Sequence, residues 1–96
     1  VKKAERKEYK QELREKVQKE LGKVIAEIRN AEDLSQEDLA YEAGIDRSFM
    51  SKLERGVTSV SLLTLIMIAE KLNRKPSEIL AVLEERLGSG GDEEEL

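Results

Sequence analysis

The chain has 96 residues, enough for one domain and too few for two of ordinary size. It contains neither Cys nor His, which excludes disulfides, thiolate or imidazole metal sites and every catalytic arrangement built on a His base. Neither an enzyme activity nor a metal or cofactor site is expected. Charged residues make up 40% of the chain against 39% apolar, and the apolar residues are periodic, so the charge should coat helices rather than keep the chain unfolded. The net charge of −4 is unevenly placed: residues 1–19 hold eight Lys/Arg and four Glu, whereas residues 92–95 are Asp-Glu-Glu-Glu. No apolar run approaches the roughly 20 residues of a membrane span, and no signal-peptide pattern opens the chain, so a cytoplasmic setting is expected.

Residues 2–30 read as helix, with Tyr9, Leu13, Val17, Leu21, Val24, Ile25 and Ile28 at spacings of three and four. Residues 1–20 are taken as a charged amphipathic extension and 21–31 as the first helix of the domain, with one rod or two helices both open. Gly22 costs about 1 kcal/mol relative to Ala there, so it marks a kink or a close approach. After a turn at Ala31–Leu34, Ser35 is a good N-cap for a helix over Gln36–Ala43, and Gly44 suits the left-handed position that ends it. Asp46 is the next N-cap, for a helix over Arg47–Arg55 with Met50 and Leu53 inward and Gly56 at its end. Two short helices thus flank a tight Gly-containing turn.

Ser61 caps a further helix over Leu62–Leu72, closed by Asn73. Pro76 fits the first position of a last helix running to about Leu87, because its missing N–H costs nothing there. Residues 88–96 read as a flexible Gly/Ser linker and an acidic tail. Val1 at the start and the Gly-Ser stretch leave a natural and an engineered origin both open. No strand pattern and no internal repeat is present.

At Leu34–Gly56 the sequence LSQEDLAYEAGIDRSFMSKLERG closely resembles the phage-repressor-like (Xre-type, Cro/CI) helix-turn-helix family. Ser35, Gln36, Leu39, Ala40, Gly44 and Ile45 match its first half, and Ser51, Leu53, Glu54, Arg55 and Gly56 its second. The likeness continues through Ser61–Leu65 and Ile68–Leu72, covering roughly residues 21–83, and the joint pattern is specific. The resemblance implies an all-α, five-helix lambda-repressor-like domain, here with an extra N-terminal amphipathic helix. It also implies sequence-specific binding of double-stranded DNA by a repressor-like transcription regulator acting as a homodimer, with helix 47–55 in the major groove. By position, Arg47, Ser48, Ser51 and Lys52 would face bases. Gln36, Arg55, Thr58 and Ser59 would meet phosphate, with Phe49 beside them either packing inward or touching a thymine methyl. Arg29 and Glu54 match a pair that joins the first and third helices.

The chemistry suits these roles. A recognition helix enters the groove by its N-terminal half, and an Arg can bond guanine O6 and N7 together. Gln36 stands at a helix N-terminus, where free N–H groups attract phosphate. The sequence departs from the pattern in the loop after Gly56, where Thr58, Ser59 and Val60 replace the basic residues and Pro seen in the family, so phosphate contacts there should be fewer. The stripe Tyr9, Leu13 and Val17 must bury against the last helix or a second copy of the chain. The Lys-rich segment around it reads either as a solvated face or as a DNA arm. These features, with the acidic net charge, support an alternative: a protein-interaction or assembly module, antitoxin-like or designed, on the same scaffold.

Overall fold

A computed structural model describes the backbone of residues 3–95 and the side chains of residues 5–88. Its elements are α1 (Lys3–Ala31), α2 (Gln36–Ala43), α3 (Arg47–Arg55), α4 (Leu62–Lys71) and α5 (Pro76–Glu95), with no strand among the described residues. The N-terminal segment and the first domain helix form one unbroken rod of 29 residues. Gly22 does not kink it. A Cβ at that position would stand 2.4 Å from the Leu53 carbonyl oxygen and 2.7 Å from that of Glu54, so the missing side chain lets the α1 and α3 backbones touch.

The short helices are set by their caps. Ser35 forms a full capping box: its Oγ accepts from the Asp38 N–H at 2.9 Å, and Asp38 accepts from the Ser35 N–H at 3.2 Å. Gly44 and Gly56 end α2 and α3 with φ of 70° and 75°, a left-handed conformation that Gly adopts without the Cβ penalty. Asp46 occupies the N-cap position of α3, but its carboxylate bonds the Ser48 hydroxyl instead of a backbone N–H. Ser61 caps α4 through the Thr64 N–H. That helix stops one residue earlier than its apolar pattern predicts: Leu72 is the cap, and Asn73 turns the chain with φ 56°.

The core is a single cluster. Leu21, Val24 and Ile25 from α1 meet Leu39 of α2, Met50 and Leu53 of α3, Leu65 and Ile68 of α4, and Ile79 and Leu83 of α5. Each such side chain contributes about 1.5–3 kcal/mol when fully buried. α1 packs across α3 and α5, α2 across α3 and α4, and α4 against α5. Two polar ties hold α5 to α1: the Arg86 guanidinium grips the Glu27 carboxylate through both oxygens, and the Lys16 ammonium donates to the Leu87 carbonyl at 3.3 Å. The Arg86 hydrogen bond holds the Glu27 carboxyl below the usual glutamate range.

One expectation is corrected. Composition predicts a flexible linker after Leu87, yet α5 continues through Gly88 to Glu95. Gly88 does not take the left-handed φ that would end the helix, and no Pro follows to stop it.

Candidate nucleic-acid interface

Three things fix α3 in place. Met50 and Leu53 are fully buried and point into the core. The C-terminus of α3 abuts α1: at Gly56 a Cβ would come within 2.7 Å of the Lys19 Cα. An ion-pair network then ties that end to two other helices. Arg29 of α1 pairs with Glu54 in bidentate fashion, Nε to Oε2 at 2.7 Å and Nη2 to Oε1 at 3.0 Å. Its remaining Nη1 donates to the Leu34 carbonyl at 2.7 Å, and Gln36 of α2 donates to Glu54 Oε1 at 2.9 Å. The side chains of Arg29 and Glu54 are only 13% and 6% exposed, so the pair sits in a largely dry seam. The hydrogen bond from Arg29 to Glu54 raises the guanidinium pKa further, against the opposing pull of burial.

With its inner face and end fixed, α3 presents the opposite face to water. Arg47, Ser48, Lys52 and Arg55 are exposed, and Ser51 is half-buried. Neither Arg47 nor Lys52 has a hydrogen-bond or ion-pair partner among the described residues, so both cations are available to a ligand. The remaining candidates are partly engaged. Ser48 donates to Asp46, Arg55 Nε reaches the Ser51 carbonyl at 3.4 Å, and Thr58 reaches the Ser59 carbonyl at 3.4 Å. The Gln36 amide gives one of its two N–H groups to Glu54, which fixes the side chain and leaves the second N–H and the carbonyl oxygen uncommitted. Phe49 is partly buried against the core, the inward alternative of the two considered for it.

The sequence does not reveal how the loop after α3 is held. Ser59 Oγ accepts from Gln18 Nε2 of α1 at 2.6 Å, a contact across 41 residues that no local pattern signals. The stripe on α1 divides. Val17 packs against the core beside Leu80 and Leu83 of α5, whereas Tyr9 and Leu13 remain 68% and 42% exposed. Leu13 and Val17 form one wall of an open, mainly apolar groove of about 470 Å³, whose other walls are Val60, Leu62 and Leu65, and Leu80 and Leu83.

Comparison with known proteins agrees with this arrangement. The helix-turn-helix family model matches residues 25–79, which span α1 from Ile25 to the start of α5. The chain belongs to the helix-turn-helix family. Within that family it is 37% identical over 60 residues to the control protein C.SmaI of Serratia marcescens, a match covering 62% of this chain and 71% of that one. Among solved structures, the restriction-modification controller protein C.AhdI from Aeromonas hydrophila shares 40% identity with a TM-score of 0.61, over 62% of this chain and 91% of that chain. The controller protein C.Esp1396I, solved as a tetramer in complex with its natural 35 base-pair operator, shares 28% identity with a TM-score of 0.66, over 72% of this chain and 91% of that one. The helix-turn-helix match begins at residue 25, so α1 from Lys3 to Val24 lies outside it.

Proposed function

We infer that this chain is a transcription regulator that binds double-stranded DNA sequence-specifically, with α3 in the major groove. The observation that carries this reading is the pairing of an immobilised helix with two unpartnered cations, Arg47 and Lys52, on its outer face. Arg47, Ser48, Ser51 and Lys52 read base edges. Gln36, Arg55, Thr58 and Ser59 meet phosphate, with Phe49 buttressing α3 from inside. Family membership and the operator complex of C.Esp1396I support the same reading. No helix among the described residues is long and apolar enough to cross a membrane, and a regulator of this class works in the cytoplasm.

The chain acts as a homodimer on two half-sites about 34–36 Å apart. Selection of bound sequences from a random duplex pool, run on the wild type and on Arg47→Ala, tests the assignment. The variant should lose about 1–3 kcal/mol at one base pair and relax preference there alone. An unchanged selected sequence with unchanged affinity would remove the base-reading role.

A second reading, a protein-interaction module on this scaffold, draws on the exposure of Tyr9 and Leu13 beside an apolar groove. A chain that self-associates by sedimentation but ignores duplex DNA even below about 50 mM salt would favour it, because non-specific electrostatic binding is strongest there.

A further inference from the structure

We propose that the N-terminal half of α1 is a second DNA-contacting element, a cationic strip that grips phosphates next to those met by the α3–α4 loop; the proposal rests on the DNA-binding reading above. The loop itself is uncharged, with Thr58, Ser59 and Val60, so it offers hydroxyls but no cation.

One stripe of α1 carries cations and no carboxylate, whereas Lys16 and Lys19 stand among the glutamates on another side of the helix. At 100° per residue, Lys7, Lys10, Arg14 and Gln18 fall within about 80° of one another, and Glu8, Glu12 and Glu15 lie about 120° around the helix from them. A solvated helix gains from Glu and Lys placed four apart and loses from like charges at that spacing. Here Lys7 and Lys10 are three apart, Lys10 and Arg14 four apart, and Glu8 and Glu12 four apart. Opposite charges four apart do occur elsewhere on the helix, at Glu12–Lys16 and Glu15–Lys19, so it is the stripe of Lys7, Lys10 and Arg14 alone that forgoes such pairs. Lys7 and Lys10 have no hydrogen-bond or ion-pair partner among the described residues, and Arg14 donates only to Gln11 at 3.2 Å. The cations are therefore not neutralised within the protomer.

The direction of the strip is set by its last member. Gln18 donates to Ser59 at 2.6 Å, so the face that carries Lys7, Lys10 and Arg14 is the face turned to the loop. Lys10 and Arg14 border the same groove as Thr58 and Ser59. Because α1 is one rod, the strip cannot swing away from that loop. From Lys7 to Arg14 it extends about 10 Å at 1.5 Å per residue, so its three long side chains can reach neighbouring phosphates of one strand. The cations missing from the loop are thus supplied from a neighbouring helix.

The test is the salt dependence of binding to the selected duplex and to a scrambled duplex, for the wild type and for the triple variant Lys7→Gln, Lys10→Gln, Arg14→Gln. Gln keeps the helix propensity close to that of Lys and Arg. Each lost phosphate contact lowers the slope of log K against log salt by about 0.9, so the variant should lose about 2–3 per protomer. Its affinity for both duplexes should fall by the same factor, and its base preference should not change. Lys23→Gln, which removes a cation from the opposite face, should leave the slope unchanged. An unchanged slope in the triple variant overturns the proposal, as does an equal loss from Lys23→Gln. A triple variant that keeps its slope but changes its sedimentation mass also overturns it, and assigns the strip to a protein surface. If the wild type itself ignores both duplexes, the parent reading fails instead, so the two failures are distinct.

Discussion

Replacing Gly22 with Ala sets two effects against each other. In an isolated helix the change is favourable by about 1 kcal/mol, because Gly pays more backbone entropy than Ala. In this fold the new Cβ would stand 2.4 Å from the Leu53 carbonyl oxygen, 2.7 Å from the Glu54 carbonyl oxygen and 3.0 Å from the Glu54 carbonyl carbon. All three are backbone atoms of α3, so no rotamer change relieves the overlap. α1 and α3 must separate, and overpacking of this kind costs about 1–3 kcal/mol, occasionally more. Separation also stretches the Arg29–Glu54 pair, which spans the same two helices. The clash outweighs the gain in helix propensity, and Gly22→Ala should lower stability by up to about 2 kcal/mol net. Urea unfolding followed by circular dichroism measures this directly, as a lower midpoint at unchanged slope. A variant more stable than the wild type would show that the helices do not meet at this point. DNA affinity should fall in parallel, because α3 is held by the contact that is lost.

Two other substitutions probe the polar ties. Arg29→Ala leaves the Glu54 carboxylate in a partly buried seam with Gln36 as its remaining partner, and should cost about 1.5–3 kcal/mol in the same urea assay; a loss below about 1 kcal/mol would mean the pair is solvated, as surface pairs are. For the Glu27–Arg86 tie the sign follows from the depressed carboxyl. Its contribution is complete above the ordinary glutamate range and is lost as pH falls through the lowered folded-state value. The stability gap between wild type and Arg86→Gln should therefore be present at pH 7 and close towards pH 3; a gap that widens in acid would contradict the assignment.

Much of the fold is legible because it is local. Ser35, Asp46 and Ser61 mark helix starts and Gly44 and Gly56 mark ends by rules acting within four residues. The inward face of α3 follows from the spacing of Met50 and Leu53, whereas α4 is apolar nearly all round and only packing decides that Leu65 and Ile68 are buried and Leu62 and Leu63 are not. Legibility ends where a decision depends on distant partners. The pattern places an apolar stripe at Tyr9, Leu13 and Val17 but cannot say that only Val17 reaches the core. Asp46 is a sound cap by type, yet its carboxylate is diverted to Ser48. Gln36 is at the expected helix start, but its amide is committed to Glu54 across 18 residues.

The sequence by itself determined the helices, their order, the Gly-containing turn and the outward set Arg47, Ser48 and Lys52, since caps, periodicity and turn conformation are all short-range. Only the tertiary structure decided that α1 is one rod, that Gly22 is a contact and not a kink, and that the cationic face of α1 looks over the loop at Ser59. Those outcomes depend on which backbones come within van der Waals reach of each other, and helices brought together across tens of residues leave no periodic trace of that in either segment.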